Sequence, residues 1–419
     1  MILSGAARSQ AAPRMADWSR LTSTPRHASG RVLRLLPAVT AFVVLALSLS
    51  CASAQGPIRV PPLSDLGLIH PCGEEPAAVC ETQIPWSAQD LQKALGARSS
   101  ALVVADSVLC FVYRDAEADA VLLVGGIQGS LKRLAGTDTW ALSVRVTDID
   151  RAKLSYVFVP YLRGSPIPDA GAGGTWRGEN ADPEPPVHTV LRGSTQTIAL
   201  RSRSLRETRL ITVYIPALPP QNGAYPVVYL ADGLLVERFA PYVEPAIEQG
   251  RVPPLLLVGI HAATQGAAAG EPDTRAAEYL PGMDPRRFRR HERFFLREVL
   301  PYVERQFAAS SEPRDVVLAG ASNGAAFALQ MALTHPTVAG NLLCLSLAGP
   351  GPLGQPVPPL DVYLAAGTLE PGVHGNTAAW ARYLASRGAS VRLEERVAGH
   401  DALMWQEEVP GALEWLLSR

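Results

Sequence analysis

The sequence has almost no net charge: 38 Lys and Arg stand against 39 Asp and Glu in 419 residues, a formal −1. A chain without a surplus of either sign sets up no bulk field toward nucleic acid or anionic membrane, so neither is expected as a partner. Histidine is scarce, at eight residues, and cysteine scarcer, at five. No Cys/His spacing resembles a zinc site, and neither metal nor cofactor is expected. Internal repeats are missing as well. What is present is ordinary for a globular chain: 47% hydrophobic and 18% charged residues, with length for two or three domains and ample core.

One long apolar run stands out, from Leu35 to Leu49, with Arg31 and Arg34 before it. Its length suits the core of a secretory signal and is short for a membrane span. Ala52-Ser53-Ala54 then offers an A-x-A cleavage site ahead of Gln55. Residues 1–54 are therefore expected to be a signal peptide. Their polar prelude is long, so either the leader is extended or the start lies downstream, with Met15 one candidate. A periplasmic or secreted protein follows, without stable membrane insertion after cleavage. Cys51 raises a lipoprotein alternative, but Ser48 stands where a lipobox usually has Leu. Export permits disulfides. Cys72 and Cys80, close together in a Pro/Gly/Glu-rich stretch, are candidates for a bridge; Cys110 and Cys344 lie in apolar runs and read as buried thiols.

Along the chain, residues 87–95 read as a short helix, with Ser87 and Asp90 as a capping-box start and Gly96 as a stop. Strand-like runs follow at 108–113, 121–124, 140–146 and 154–159, and predict a small all-β sandwich over 57–163. Residues 164–188 are rich in Gly, Pro and Asp and read as a linker. Trp176 within it is expected to pack on a neighbouring domain, with a substrate contact as the other reading. From 189 to 419 the pattern changes. Eight apolar runs (197–200, 210–215, 227–230, 255–260, 316–318, 343–347, 361–365 and 391–393) alternate in the later part with helical stretches at 287–308, 323–335, 376–387 and 404–417. That is a mainly parallel, doubly covered sheet with an antiparallel start, the α/β-hydrolase plan.

Gly320-Ala321-Ser322-Asn323-Gly324 lies between the run 315–319 and an Ala/Leu-rich helix. G-x-S-x-G between strand and helix is the nucleophile elbow, and Ser322 is the candidate nucleophile. A serine hydroxyl needs a base. Three histidines follow Ser322: His335, His374 and His400. His335 ends the elbow helix, where the helix dipole alone suits it. His400, in a loop after the last strand, is the candidate base. Glu370, at the end of the run that starts with Asp361, is the candidate acid that would orient it; Asp401 is the fallback. The amides of Asn323 and Leu234, the latter in Asp232-Gly233-Leu234 after the third strand, are the candidate oxyanion hole.

The stretches 227–234, 278–282, 294–304, 320–324, 367–370 and 399–401 resemble, in their order, the esterase D / enterochelin esterase family. The resemblance covers roughly 190–419. It implies hydrolysis of carboxylic esters without metal or cofactor, a small-molecule ester as partner, and the roles given above to Ser322, His400 and the Leu234 and Asn323 amides. It also implies that the preceding β region is the immunoglobulin-like early-set domain of enterochelin esterases. A catecholate trilactone would call for cations near the serine. Arg287 and Arg290, in the basic run 286–293, are candidates, although such a run is commonly a solvated helix face. Arg275 near Glu278 suggests a local ion pair as much as a ligand contact. A feruloyl or other small-ester hydrolase and an acyltransferase use the same chemistry. A non-catalytic binding protein on an esterase scaffold is the rival from another class.

Overall fold

The computed structural model describes residues 69–74, 77–167, 172–263 and 273–418. The expected signal peptide, its cleavage site and Cys51 lie outside them.

The N-terminal half forms one antiparallel sheet of nine strands: β1 (Val79–Glu81), β2 (Ser100–Ala105), β3 (Val108–Arg114), β4 (Ala120–Gly125), β5 (Gly129–Arg133), β6 (Thr139–Val146), β7 (Lys153–Leu162), β8 (Ser165–Pro166) and β9 (Gly173–Arg177). Its order is β2-β3-β6-β5-β4-β7-β8, with β1 on β6 and β9 on β7. Four ladder steps separate β3 from β7, about 19 Å in a flat sheet. Yet the rings of Tyr113 and Phe158 lie 5.1 Å apart, and those of Phe111 and Tyr156 5.0 Å. The sheet therefore curls until its two ends face each other across Leu109, Leu123, Leu142 and Val144. Strand β5 joins the two halves: its residues 129–131 pair with β4, and Lys132 and Arg133 pair with β6. Where the sequence predicts a sandwich, one curled sheet carries all nine strands. Helix α1 (Ala88–Leu95) has the predicted capping box at Ser87 and Asp90, and seats Leu91 and Leu95 on Cys110 and Val112. Cys72 and Cys80 are bridged, while Cys110 and Cys344 are free and buried.

The expected linker is also corrected. Within it β9 pairs with β7 from Arg177 to Gly173. A strand needs backbone partners more than side-chain periodicity, so a Gly-rich stretch on an open sheet edge can pair. Trp176 packs on the N-terminal core, and its indole N–H donates to the Ile149 carbonyl at 3.2 Å.

The C-terminal half is an eight-stranded sheet as the sequence predicts. It comprises β10 (Ser194–Arg201), β11 (Thr208–Ile215), β12 (Val227–Ala231), β13 (Leu256–Ile260), β14 (Val316–Ala321), β15 (Asn341–Leu345), β16 (Asp361–Gly367) and β17 (Ser390–Arg396). The order is β10-β11-β13-β12-β14-β15-β16-β17. The ladders of β10 with β11 and β11 with β13 are antiparallel, and the other five are parallel. Helices α2 (Leu235–Glu248) and α8 (Ala402–Leu417) cover one face. Helices α4 (Pro285–Phe294), α5 (Leu300–Phe307), α6 (Asn323–Thr334) and α7 (Pro371–Ser386) cover the other, with α3 (Thr274–Tyr279) beside α6. The stretch expected as one helix over 287–308 contains a π-helical turn, Phe295–Val299. Pro301 lacks the N–H that an α-turn would use there, and a wider turn accommodates its ring.

A buried ion cluster fixes α3 and α4 to β11. The Arg209 guanidinium donates to both oxygens of Glu278, at 2.7 and 2.8 Å, and Arg287 donates to one at 2.8 Å. Burial alone would raise the Glu278 carboxyl. The Arg209 hydrogen bonds and the charges of His291, Arg209 and Arg287 overcome it and hold the group at about 2, against an ordinary 4.5. A depressed folded-state value stabilises the fold above about pH 4.5, and that contribution is lost as pH falls toward 2. Its size is about 3 kcal/mol. We predict that Glu278→Gln lowers the melting temperature at pH 7 and that the gap to the wild type narrows steadily below pH 4. A gap of constant size from pH 7 to 3 in thermal melts would show that the Glu278 charge carries none of it.

Candidate active site

The carboxyl edge of the parallel sheet collects the candidate residues. Ser322 stands one residue past β14 with φ 57° and ψ −127°, a region that non-glycine residues seldom occupy. Its amide donates to the Leu345 carbonyl at 2.9 Å, and its carbonyl accepts the Ala325 amide at 3.0 Å as α6 begins. The tightness of the turn explains Gly320: a Cβ there would lie 2.3 Å from the Gly324 carbonyl carbon. Ser322 is buried.

His400 follows β17, and Glu370 follows β16 by three residues. The structure brings the two together, with His400 Nδ1 2.5 Å from Glu370 Oε2. A carboxylate offers only lone pairs, so this contact selects the tautomer of a neutral imidazole with the proton on Nδ1 and the lone pair on Nε2. Glu370 is itself fixed. Its Oε1 accepts the Ser346 hydroxyl at 2.7 Å and the Gly367 amide at 2.8 Å. The Ser346 hydroxyl in turn accepts the Trp405 indole N–H at 2.8 Å, and the indole stands edge-on to the His400 ring with centroids 5.1 Å apart. Ser346 and Trp405 were not foreseen. Ser346 is the one polar residue of the run 343–347, and a polar residue near a strand's carboxyl end was a usable signal; Trp405 had none.

Asp401, the fallback acid, does not face His400. Its Oδ1 caps α8 through the Leu403 and Met404 amides, at 2.8 and 3.2 Å, and its Oδ2 accepts the Ser155 amide at 2.8 Å. Burial pushes its carboxyl up to about 6, against the pull of those three amides.

The second strand-end loop carries Asp232 at φ 79°. Its amide donates to Ile260 O at 3.1 Å and to Tyr279 Oη at 3.0 Å. Its carboxylate receives Arg275 through Nε at 2.7 Å and Nη2 at 2.5 Å. Arg275 thus pairs with Asp232 and not with Glu278, as its spacing had suggested. Asp232 so held, the chain turns at Gly233 and Leu234 into α2. Neither the Leu234 nor the Asn323 amide has a hydrogen-bond partner among the described residues. Two free N–H groups at strand ends on either side of the β12–β14 ladder are what an oxyanion requires.

Of the two candidate arginines, Arg287 has its guanidinium engaged by Glu278. Arg290 lies exposed on α4. His335 is bound to Glu292 at 2.9 Å, in keeping with a structural part. Among the described residues His188, Glu244 and Glu248 lie close enough to share a cation. However, Glu244 already accepts the Arg192 and Gly193 amides, the Tyr214 hydroxyl and His188, and Arg192 pairs with Glu248. Protein donors fill that site.

The family model described as "Putative esterase" matches residues 202–416. No curated protein matches the chain. Among solved structures, the enterobactin esterase FES from Shigella flexneri, crystallised in the presence of 2,3-di-hydroxy-N-benzoyl-glycine, is similar at 19% identity. The likeness covers 79% of this chain and 99% of that one, with a TM-score of 0.59. The ferric enterobactin esterase from Salmonella typhimurium is similar at 18% identity over 76% of this chain and 96% of that one, with a TM-score of 0.58. Both shares exceed the stretch the family model matches, so the shared fold extends beyond it.

Ser346→Ala should remove one hydrogen bond from Glu370 and leave the Trp405 N–H without an acceptor. The expected loss of stability is about 1–3 kcal/mol, read as a shift of the urea midpoint at unchanged slope. A midpoint equal to the wild type's would mean that Trp405 finds another acceptor.

Proposed function

The chain belongs to the esterase family, and from that premise we propose an exported serine carboxylesterase of the enterochelin-esterase type, working through Ser322, His400 and Glu370. The observation that carries the reading is the 2.5 Å contact of His400 Nδ1 with Glu370, formed at the same sheet edge as the strained Ser322. With Nδ1–H committed to Glu370, Nε2 is the atom that can accept the serine proton. Ser322 Oγ then bonds to the ester carbonyl carbon, and the carbonyl oxygen becomes an oxyanion between the Asn323 and Leu234 amides. The oxyanion collapses, the ester C–O bond breaks, and His400 returns the proton to the departing alcohol. Water, deprotonated by His400, attacks the acyl-enzyme in the same way and frees the acid.

Substrate class follows from the relatives. They are named for enterobactin, and 2,3-di-hydroxy-N-benzoyl-serine was present in one of their crystals. Esters of catechol-acylated serine are accordingly the first to assay, with feruloyl esters as the comparison. Export is supported by the apolar run before Ala52-Ser53-Ala54 and by the Cys72–Cys80 bridge, which an oxidising compartment favours.

The wild type should turn over p-nitrophenyl butyrate and be labelled by a fluorophosphonate. Ser322→Ala should lose about three or more orders of magnitude in kcat and all labelling. Background turnover by both proteins alike would overturn the reading. Glu370→Gln, which cannot stabilise a protonated His400, should lose about 10²–10⁴-fold in kcat. Wild-type kcat in that variant would remove Glu370 from the mechanism.

A further inference from the structure

We infer that Asp401 is a positioning residue that ties the His400 segment to the N-terminal sheet, and that this sheet is thereby part of the esterase machinery. The inference rests on His400 being the base. The segment 397–401 lies between the end of β17 at Arg396 and the start of α8 at Ala402, and the regular hydrogen bonds of those elements reach it only at its last residue, where Asp401 O accepts the Trp405 amide at 3.4 Å. Its other bonds run elsewhere. Toward its own sheet, the Ala398 carbonyl accepts the Leu369 amide at 3.0 Å. Toward the N-terminal sheet, Val397 O accepts the Lys153 amide at 2.9 Å and the His400 amide donates to Gly126 O at 3.3 Å. Asp401 Oδ2 accepts the Ser155 amide at 2.8 Å.

Two features make this a built contact. The first is the division of the carboxylate: Oδ1 caps α8 and Oδ2 reaches β7, so one buried side chain joins the helix after His400 to the opposite sheet. The second is closeness of approach. A Cβ on Gly399 would lie 1.5 Å from Gly126 O, and one on Gly126 would lie 2.5 Å from Asp401 Oδ2. The residue on either side of His400 is thus shaped to the N-terminal sheet. Outside the segment, Lys153 Nζ pairs with Glu407 of α8 at 2.7 Å, and Arg177 pairs with the same carboxylate. The sheet therefore holds both the histidine loop and the helix that follows it.

The test uses the full chain. Asp401→Ser keeps a hydroxyl to cap α8 but is too short to supply the second oxygen to Ser155. Gly126→Ala, made entirely in the N-terminal sheet, sets a methyl group against Asp401 Oδ2. For each variant kcat and KM are measured on p-nitrophenyl butyrate, per site titrated by fluorophosphonate and well below the melting transition. Both should lose about 10–100-fold in kcat, the effect of roughly an ångström of misplacement, with KM within about twofold. Asp401→Asn, which keeps the size and one accepting oxygen, should fall between Asp401→Ser and wild type. Wild-type kcat per titrated site in both Asp401→Ser and Gly126→Ala would overturn the inference and leave the esterase reading intact. A wild type no faster than Ser322→Ala would overturn both.

Discussion

The parallel ladder runs one rung beyond the strands, and the candidate site hangs from that extra rung. Asp232, Ser322 and Ser346 each follow the last residue of a strand, and each has positive φ without being glycine. Each donates its amide to a neighbouring strand: Asp232 to Ile260 O, Ser322 to Leu345 O and Ser346 to Ala365 O. A strained residue persists only where its surroundings over-determine it. Here the rung fixes the amide while the chain turns sharply away, so the side chain leaves the sheet at its carboxyl edge. Glycine would relieve the strain but would remove the hydroxyl or carboxylate that the position exists to carry.

The two halves of the site are held differently. Ser322 and the free amides rest on the sheet and on α6. Glu370 and His400 lie past strands that have already ended, and their neighbours lean outward. Leu369, beside Glu370, is buried in the core of the curled N-terminal sheet, and Val397 packs against that same core. Hydrophobic burial is non-directional, so it seats the loops, and the hydrogen bonds of Asp401 and Gly126 then select their orientation.

Charge is handled in the same spirit. Buried and half-buried carboxylates near the site are met by guanidinium groups: Glu278 by Arg209 and Arg287, Asp232 by Arg275. A lone buried charge would be very costly, whereas a bidentate pair is held in one geometry. These pairs fix α3 and α4 beside the elbow, and Tyr279, between Arg275 and Asp232, links them to the loop that presents the Leu234 amide.

Much of this was legible in the sequence, for reasons that also mark where legibility ends. The inner strands β12 to β16 are apolar runs because they are buried on both faces, whereas the edge strands β10 and β17 carry only a short apolar stretch each. Ser322, Glu370 and His400 could be picked out because the elbow is a local pattern and the other two follow in fixed chain order. Helix α2 was missed because Pro241 and Pro245 lie inside it, and β9 because a Gly-rich edge strand has no pattern of its own. A run of like charges also says nothing of which guanidinium turns inward: Arg287 reaches Glu278, while Arg290 stays exposed. The remainder consists of pairings across long separations: Asp232 with Arg275 over 43 residues, Ser346 with Trp405 over 59, Ser155 with Asp401 over 246. No local rule encodes such a pair, since each partner is an ordinary loop or strand residue until the fold sets them face to face. The sequence therefore displays the residues proposed to do the chemistry and conceals those that aim them. The aiming contacts are properties of the packed sheets.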